Sequence, residues 1–394
     1  MAVLTKKLYI KNAAGTQVAC NIYSTAAEAG TNYLTVKVDS STTGYVKLGT
    51  TSDSYATSGR VKKGGTTYAI CRQKASSFSY KGEITGLSVA RIRRLRMGVR
   101  NDDYAIFGPG FSQSIYGTDV SVTDAYNKSL TRSTPTSFSP RYEMNLGNNG
   151  TYAIFAGGIV EYRTNKVDAY NKSLTYSSST MSTSETASYY GSARVGNYCL
   201  IVNSNGNVDA FNTSLTRSAP TGLSTARYGV YGGNVGGYAL FAGGGGRKTV
   251  DVYNTSLTRS LASDLVAARV YPVGVTVGGY ALFAGGYVGT SATGEKSLQV
   301  DVYNTSLTHS SLTLPSGTIL KDYGMSTSSF ALLIDNSGTK GITYDSSLTY
   351  GTCNFPSGKV VVGGVGFDGY ILLHVMDEGV FLGSSNQIVA YEVS

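Results

Sequence analysis

A chain of 394 residues carrying 49 glycines, 31 tyrosines, no tryptophan and 14% charged residues lacks the long Leu/Ala/Glu/Lys stretches of helical proteins. Its Thr-, Val- and Tyr-rich runs ask for strands and turns. The net charge of +9 leaves two readings open: a face that attracts anionic partners, or a basic surface with no charged ligand. No apolar run approaches the roughly 18 residues of a membrane span, and Met1–Lys11 lacks the apolar stretch of a signal peptide. The expectation is therefore synthesis in a cytoplasm without membrane insertion. Cys20, Cys71, Cys199 and Cys353 form no CxxC pair and only two histidines are present, which argues against a structural zinc site. Whether Cys20 and Cys71 pair is left open.

In chain order, residues 1–75 read as a small β domain of hairpins. Lys7–Lys11 is followed by Gln17–Tyr23, then Tyr33–Val38 by Tyr45–Leu48. Arg60–Lys63 and Thr66–Ile70 turn at Gly64-Gly65, a hairpin signal. Next comes an extended stretch, Ser76–Thr85. Arg91-Ile-Arg-Arg-Leu-Arg96, with Arg100, is the densest cluster of charge. As a strand it would carry charge on both faces, so Arg93, Arg94 and Arg96 read as a contact surface for another chain or as a solvated edge. No aromatic residues alternate with these charges, which speaks against nucleic acid.

From residue 104 two motifs alternate. Tyr152-Ala-Ile-Phe-Ala-Gly-Gly158 returns nearly unchanged at Tyr238–Gly244 and Tyr280–Gly286, and more loosely at Tyr104–Gly110. Degenerate copies lie at Tyr198–Val202, Phe330–Ile334 and Tyr370–His374. The second motif, Asp124-Ala-Tyr-Asn-Lys-Ser-Leu-Thr-Arg132, recurs from Asp168, Asp209, Asp251 and Asp301, with a variant from Thr343 and a truncated copy at Val389–Ser394. Its aromatic falls at 126, 170, 211, 253, 303, 344 and 391; those six intervals span 265 residues, a mean of about 44. A period of roughly 40–50 residues built from short strands is that of a propeller blade. Each blade reads as four strands, the innermost beginning just after a basic residue, as at Arg227-Tyr-Gly-Val-Tyr231. The seventh copy stops at its third strand. Residues 76–84 resemble the segments that come after the Asn-x-Ser turn in the other copies, so they should supply the missing outer strand and close the ring.

An apolar strand ending in Gly-Gly, a loop, and an apolar-x-apolar-Tyr strand with a turn resemble the Kelch repeat. Ser-Thr-Ala-Arg227 and Val-Ala-Ala-Arg269 also resemble the Kelch pattern. Kelch blades carry a Trp after the turn; here Leu130, Leu174, Leu215, Leu257, Leu307 and Leu348 stand in its place. The fold class expected is thus all-β: a seven-bladed Kelch-like propeller over 76–394, closed by an N-terminal strand and preceded by the hairpin domain. Kelch proteins that bind acidic peptides turn the matching arginines onto a central pocket. The resemblance therefore makes Arg91, Arg141, Arg227, Arg269, Lys321 and Lys359 candidates for an anion-binding pocket, against the alternative that they pair with carboxylates or backbone carbonyls between blades.

Catalysis finds no support in the sequence. His309 and His374 both sit inside repeat motifs, and no HExxH, GxSxG or phosphate-cradling loop is present. A Kelch-like copper oxidase would need a Tyr/His/Cys constellation, and nothing selects a carboxylate pair for glycoside cleavage. Metal and cofactor are accordingly expected to be none. The Asn-x-Ser sequons at Asn127, Asn171, Asn212, Asn254 and Asn304 are explained by their turn positions. Residues 1–75 are similar to small N-terminal domains of virion proteins in tailed phages. The resemblance implies a non-enzymatic structural or binding component of a phage tail, baseplate or other surface appendage. It would attach to other virion proteins through residues 1–75, form part of a multimeric assembly, and face a host-surface glycan or protein. A cellular Kelch scaffold with acidic protein partners and a carbohydrate-binding propeller are the alternatives.

Overall fold

The computed structural model describes the strands within residues 3–71 at the level of the backbone. With side chains it describes 79–84, 98–109, 122–184, 191–203, 205–291, 293–367, 369–378 and 387–393. The chain divides into two compact units, Met1–Ser77 and Phe78–Ser394.

The first unit is a six-stranded sheet built from three hairpins. Val3–Lys11 pairs with Gln17–Tyr23, Tyr33–Lys37 with Thr43–Gly49, and Ala56–Lys63 with Thr66–Cys71. Lys63 faces Thr66. The Thr43–Gly49 strand joins the hairpins, meeting Tyr23 through Tyr45 and Ile70 through Leu48.

The second unit is a ring of seven four-stranded antiparallel sheets, hence a seven-bladed β-propeller. Blade 4 shows the pattern. From the axis outward it has Tyr231–Val235, Tyr238–Ala242, Val250–Asn254 and Arg259–Leu261. The second strand reads Tyr-Ala-Leu-Phe-Ala because both its faces are buried between neighbouring blades, and alternate side chains serve opposite faces. Ala239, Phe241 and Tyr253 pack against Ala193, Leu200 and Val208 of blade 3. Leu240, Ala242 and Val252 pack against Ala281, Phe283 and Tyr303 of blade 5. Seven such cores join the seven blades in a circle.

The repeated aromatic of the third strand has two duties. Tyr253 meets Phe241 edge-on at 5.9 Å, and its hydroxyl donates to the Thr221 carbonyl at 2.7 Å, tying down the connection from blade 3. Tyr170 and Tyr303 do the same toward Thr136 and Ser263. The next turn along the chain is closed by its first side chain. Asn254 Oδ1 accepts the N–H groups of Ser256 and Thr258, each at 3.0 Å. In blade 6 the same two bonds go to Asp345. Leu257 then adopts φ 60°, and Leu130, Leu174, Leu215, Leu307 and Leu348 lie between 58° and 61°. These leucines make a left-handed corner while their side chains rest on the inter-blade cores.

The innermost strands crowd the axis. A Cβ on Gly232 would strike the Ser192 carbonyl, and one on Gly274 the carbonyl of Gly232. Only glycine lets the backbones approach this closely. The innermost strand of blade 4 begins at Tyr231, four residues after Arg227 rather than immediately after it as the repeat pattern suggests. Arg227 belongs to the connection before the strand, where it holds the loop rather than the sheet.

Blade 7 is made from both ends of the unit. Lys359–Phe367, Tyr370–Asp377 and Gln387–Val393 are completed by Phe78–Ile84, with Tyr391 facing Tyr80 and Ile388 facing Ile84. Lys81 pairs with Glu392 at 2.7 Å. The core between blades 7 and 1 brings Phe367, Leu372 and Ala390 onto Phe107 and Tyr126.

A chain starting at residue 86 should melt roughly 10 °C or more below one starting at residue 76, because the last blade loses its outer strand; equal melting temperatures by calorimetry would refute the closure. Asn254→Asp should leave stability unchanged, as Asp345 does in blade 6, whereas Asn254→Ala should cost about 1–2 kcal/mol in urea unfolding by stranding two N–H groups.

Candidate functional site

In blades 4 and 5 short hairpin turns lie at one end of the ring and longer loops at the other. At the loop end, the connection entering each of these blades crosses the loop between its second and third strands. Arg141, Arg227 and Arg269 lie in the connections that enter blades 2, 4 and 5. Arg227 Nε donates to the Gly243 carbonyl at 2.7 Å, and Nη2 reaches Asp251 at 2.6 Å, with both side chains almost fully buried. The other Asp251 oxygen takes Arg259 at 3.1 Å, and Ser224 donates to Asp251 through its N–H and hydroxyl. In blade 5, Arg269 donates to the carbonyls of Gly285 and Gln299 and pairs with Asp301, which also meets His309 Nε2 at 2.7 Å. In blade 2, Arg141 donates to the Gly157 carbonyl and pairs with Asp168, which accepts the Tyr176 hydroxyl at 2.6 Å. In blades 1 and 3 the outer pairs are Asp124 with Arg132 and Asp209 with Arg217. Burial pulls Arg269 below its ordinary pKa, against the opposing pull of Asp301.

Of the two readings left open for Arg141, Arg227 and Arg269, the geometry shows pairing, with an aspartate of the same blade rather than across blades. Lys359 pairs with Asp377 at 2.6 Å. Lys321 is half-buried and lies over Gly338. Arg91, Arg93, Arg94 and Arg96 lie outside the described residues, as do the side chains of Cys20 and Cys71. Arg141, Arg227, Arg269 and Lys359 are thus each engaged by a carboxylate of their own blade. In blade 6 the third-strand aspartate is replaced by an apolar residue: by register Ile342 faces Leu333 as Asp301 faces Phe283.

Cys199, Cys353 and Asp102 are shifted by their surroundings. Burial pushes the thiols of Cys199 and Cys353 up to about 12, which keeps them protonated at neutral pH. At the turn end, Asp102 binds Lys172 at 3.0 Å and Arg194 at 3.1 Å. Burial pushes Asp102 up, but these two cations outweigh it and hold its pKa below the ordinary value.

A feature that sequence reasoning missed sits on the loop end of blades 4 and 5. Tyr228, Tyr271 and Tyr287 stand in a row, with ring centroids 6.5 and 6.4 Å apart. Lys296 lies 4.5 Å above the Tyr287 ring and donates to its hydroxyl at 2.9 Å. Tyr228 is 42% exposed and its hydroxyl donates to the Thr290 carbonyl. Tyr271 has φ 55°, where a bulky residue costs about 1–2 kcal/mol. The positions two residues after Arg141 and Arg227 are left-handed as well, filled by Glu143 in blade 2 and Gly229 in blade 4. Aligning Arg227-Tyr-Gly229 with Arg269-Val-Tyr271 is the one signal that would have flagged the site from sequence.

Asp251→Asn should cost about 3–5 kcal/mol in denaturant unfolding, because it leaves the buried Arg227 charge uncompensated. Arg259→Ala, at a partly exposed outer partner, should cost under about 1 kcal/mol. The double change Arg227→Leu with Asp251→Ile should recover most of the first loss; a double variant as unstable as Asp251→Asn would show that the pair is not the cause.

No family model matches the chain, and no curated protein matches it in sequence. Among solved structures, a streptogramin B lyase is similar, with a TM-score of 0.54 and 12% identity, over 80% of this chain and 98% of its own. A virginiamycin B lyase from Staphylococcus aureus gives 0.54 and 11% over 80% and 99%. The WD40 repeats of RRP9 give 0.52 and 10% over 81% and 100%. At these identities the likeness shows one thing: the second unit has the fold of a β-propeller.

Proposed function

We propose that this chain is a non-enzymatic recognition component of a tailed-phage or phage-tail-like particle, with Kelch-like blades. Residues 1–75 attach it to other virion proteins, and the loop end of the propeller meets a host surface or a neighbouring subunit. The observation that carries this reading is the tyrosine row Tyr228–Tyr271–Tyr287, set on hydrogen-bonded loops. Rigid aromatic residues with polar edges give large contact area at low entropic cost, which is what recognition surfaces use. The aspartates repeated in the blades already hold arginine, tyrosine or histidine partners, a structural use of charge. The lyases share the fold at 11–12% identity, which carries no chemistry across. A scaffold taking acidic partners through Arg141, Arg227 and Arg269 is disfavoured, because those guanidiniums already hold Asp168, Asp251 and Asp301.

Particles purified on a density gradient from the producing culture should contain the chain at a fixed copy number by quantitative mass spectrometry. Immunogold against the propeller should label an appendage. Recovery of the chain only as free protein would overturn the virion assignment.

A further inference from the structure

We infer that the row Tyr228, Tyr271 and Tyr287 is a saccharide-stacking site. The inference rests on the recognition reading above and names the ligand class. Three observations lead to it.

The first is backbone conformation. Tyr271 occupies a left-handed position that blade 4 fills with glycine and that bulky side chains avoid. Blade 2 carries Glu143 at the same corner, so glycine, glutamate and tyrosine all make it. What the tyrosine adds is a half-buried ring between two others.

The second is rigidity. The Tyr271 N–H donates to the Gly229 carbonyl at 3.1 Å, and the Gly289 N–H to the Ala268 carbonyl at 3.1 Å. Arg269 and Val270 pair as a short ladder with Val288 and Tyr287, and Arg247 bridges to Arg269 from the other side. The loops of blades 4 and 5 and the connection between them are thus stitched into one platform. The rings are pre-positioned, and a ligand would order little on binding.

The third is surface chemistry. The rings carry hydroxyl edges, and Thr290, Ser291 and Thr293 add exposed hydroxyls beside them. Arg247 and Lys248 are exposed, with no ion-pair partner among the described residues. In the same loops the large exposed apolar side chains are Val266 and Val288, little for a protein partner that would bury aliphatic bulk. A pyranose ring offers C–H groups to an aromatic face and hydroxyls to its polar rim; exposed Tyr228, backed by Tyr271, supplies the face, and the neighbouring hydroxyls supply the rim. Neutral and acidic saccharides share that stacking chemistry; the cations decide between them.

The test uses the full chain against immobilised dextran, chitohexaose, alginate and hyaluronan, with intact and trypsin-treated host cells in parallel. Retention on at least one saccharide is expected. Tyr228→Ala and Tyr271→Gly should each weaken it at least tenfold, while Tyr271→Gly keeps or raises the melting temperature. Retention on alginate or hyaluronan that falls in Arg247→Met assigns the acidic class, and retention on dextran or chitohexaose the neutral one. Saccharide binding untouched by Tyr228→Ala, at an exposed ring, would overturn the site. Failure to bind any of the four would overturn the saccharide class. Trypsin-sensitive cell binding lost in the tyrosine variants would then replace it with a protein partner and leave the recognition reading standing, whereas absence of both kinds of binding would remove both.

Discussion

Every blade buries both of its faces, and that requirement governs the second unit. A four-stranded sheet whose second strand reads Tyr-Ala-Leu-Phe-Ala is apolar on each side, so it is stable only between two neighbours. A row of such sheets would leave an exposed apolar face at each end. Closing the row into a ring removes both. The closing strand Phe78–Ile84 pairs with Gln387–Val393, so the core between blades 7 and 1 is held by chain segments about 300 residues apart. Removing either segment reopens two faces at once, which makes the ring a cooperative object rather than seven independent repeats.

Polar groups inside this ring obey the rule that a buried charge must be matched. The aspartate in the third strand of blades 2, 4 and 5 is enclosed by a buried arginine on one oxygen and an outer-strand partner on the other. The arginine also donates to the carbonyl of the first glycine of the Gly-Gly pair. One guanidinium thus fixes the incoming connection, the loop it crosses and the third strand. Five donors in a planar fork suit that task in a way lysine would not. Blade 6 has Ile342 at the aspartate position, the other consistent solution for a buried site.

Function is to be sought where the blades depart from one another. Six turns with nearly the same sequence and the same leucine φ describe a scaffold. Tyr271 stands where blade 4 has Gly229 and blade 2 Glu143, and it falls between exposed Tyr228 and half-buried Tyr287. Such local conflict between residue and backbone is the pattern expected of a working surface on a regular frame.

The number of blades, their strand order and the closing segment were legible in the chain, because spacing and phase are properties of sequence: Ser76–Thr85 matches the outer-strand segment after each Asn-x-Ser turn, and Asp345 standing for Asn254 shows the turn's chemistry. The direction of Arg227 was not legible. It depends on how a connection folds over the Gly243 loop, and Asp251 lies 24 residues away. The tyrosine row was equally hidden, since Tyr228 and Tyr287 are 59 residues apart and meet only through hydrogen-bonded loops of adjacent blades. Periodicity by itself determined that this protein is a ring of β-sheets; only the tertiary structure decided which side chains the ring buries as ion pairs and which it displays, because burial is set by neighbours that the linear order does not name.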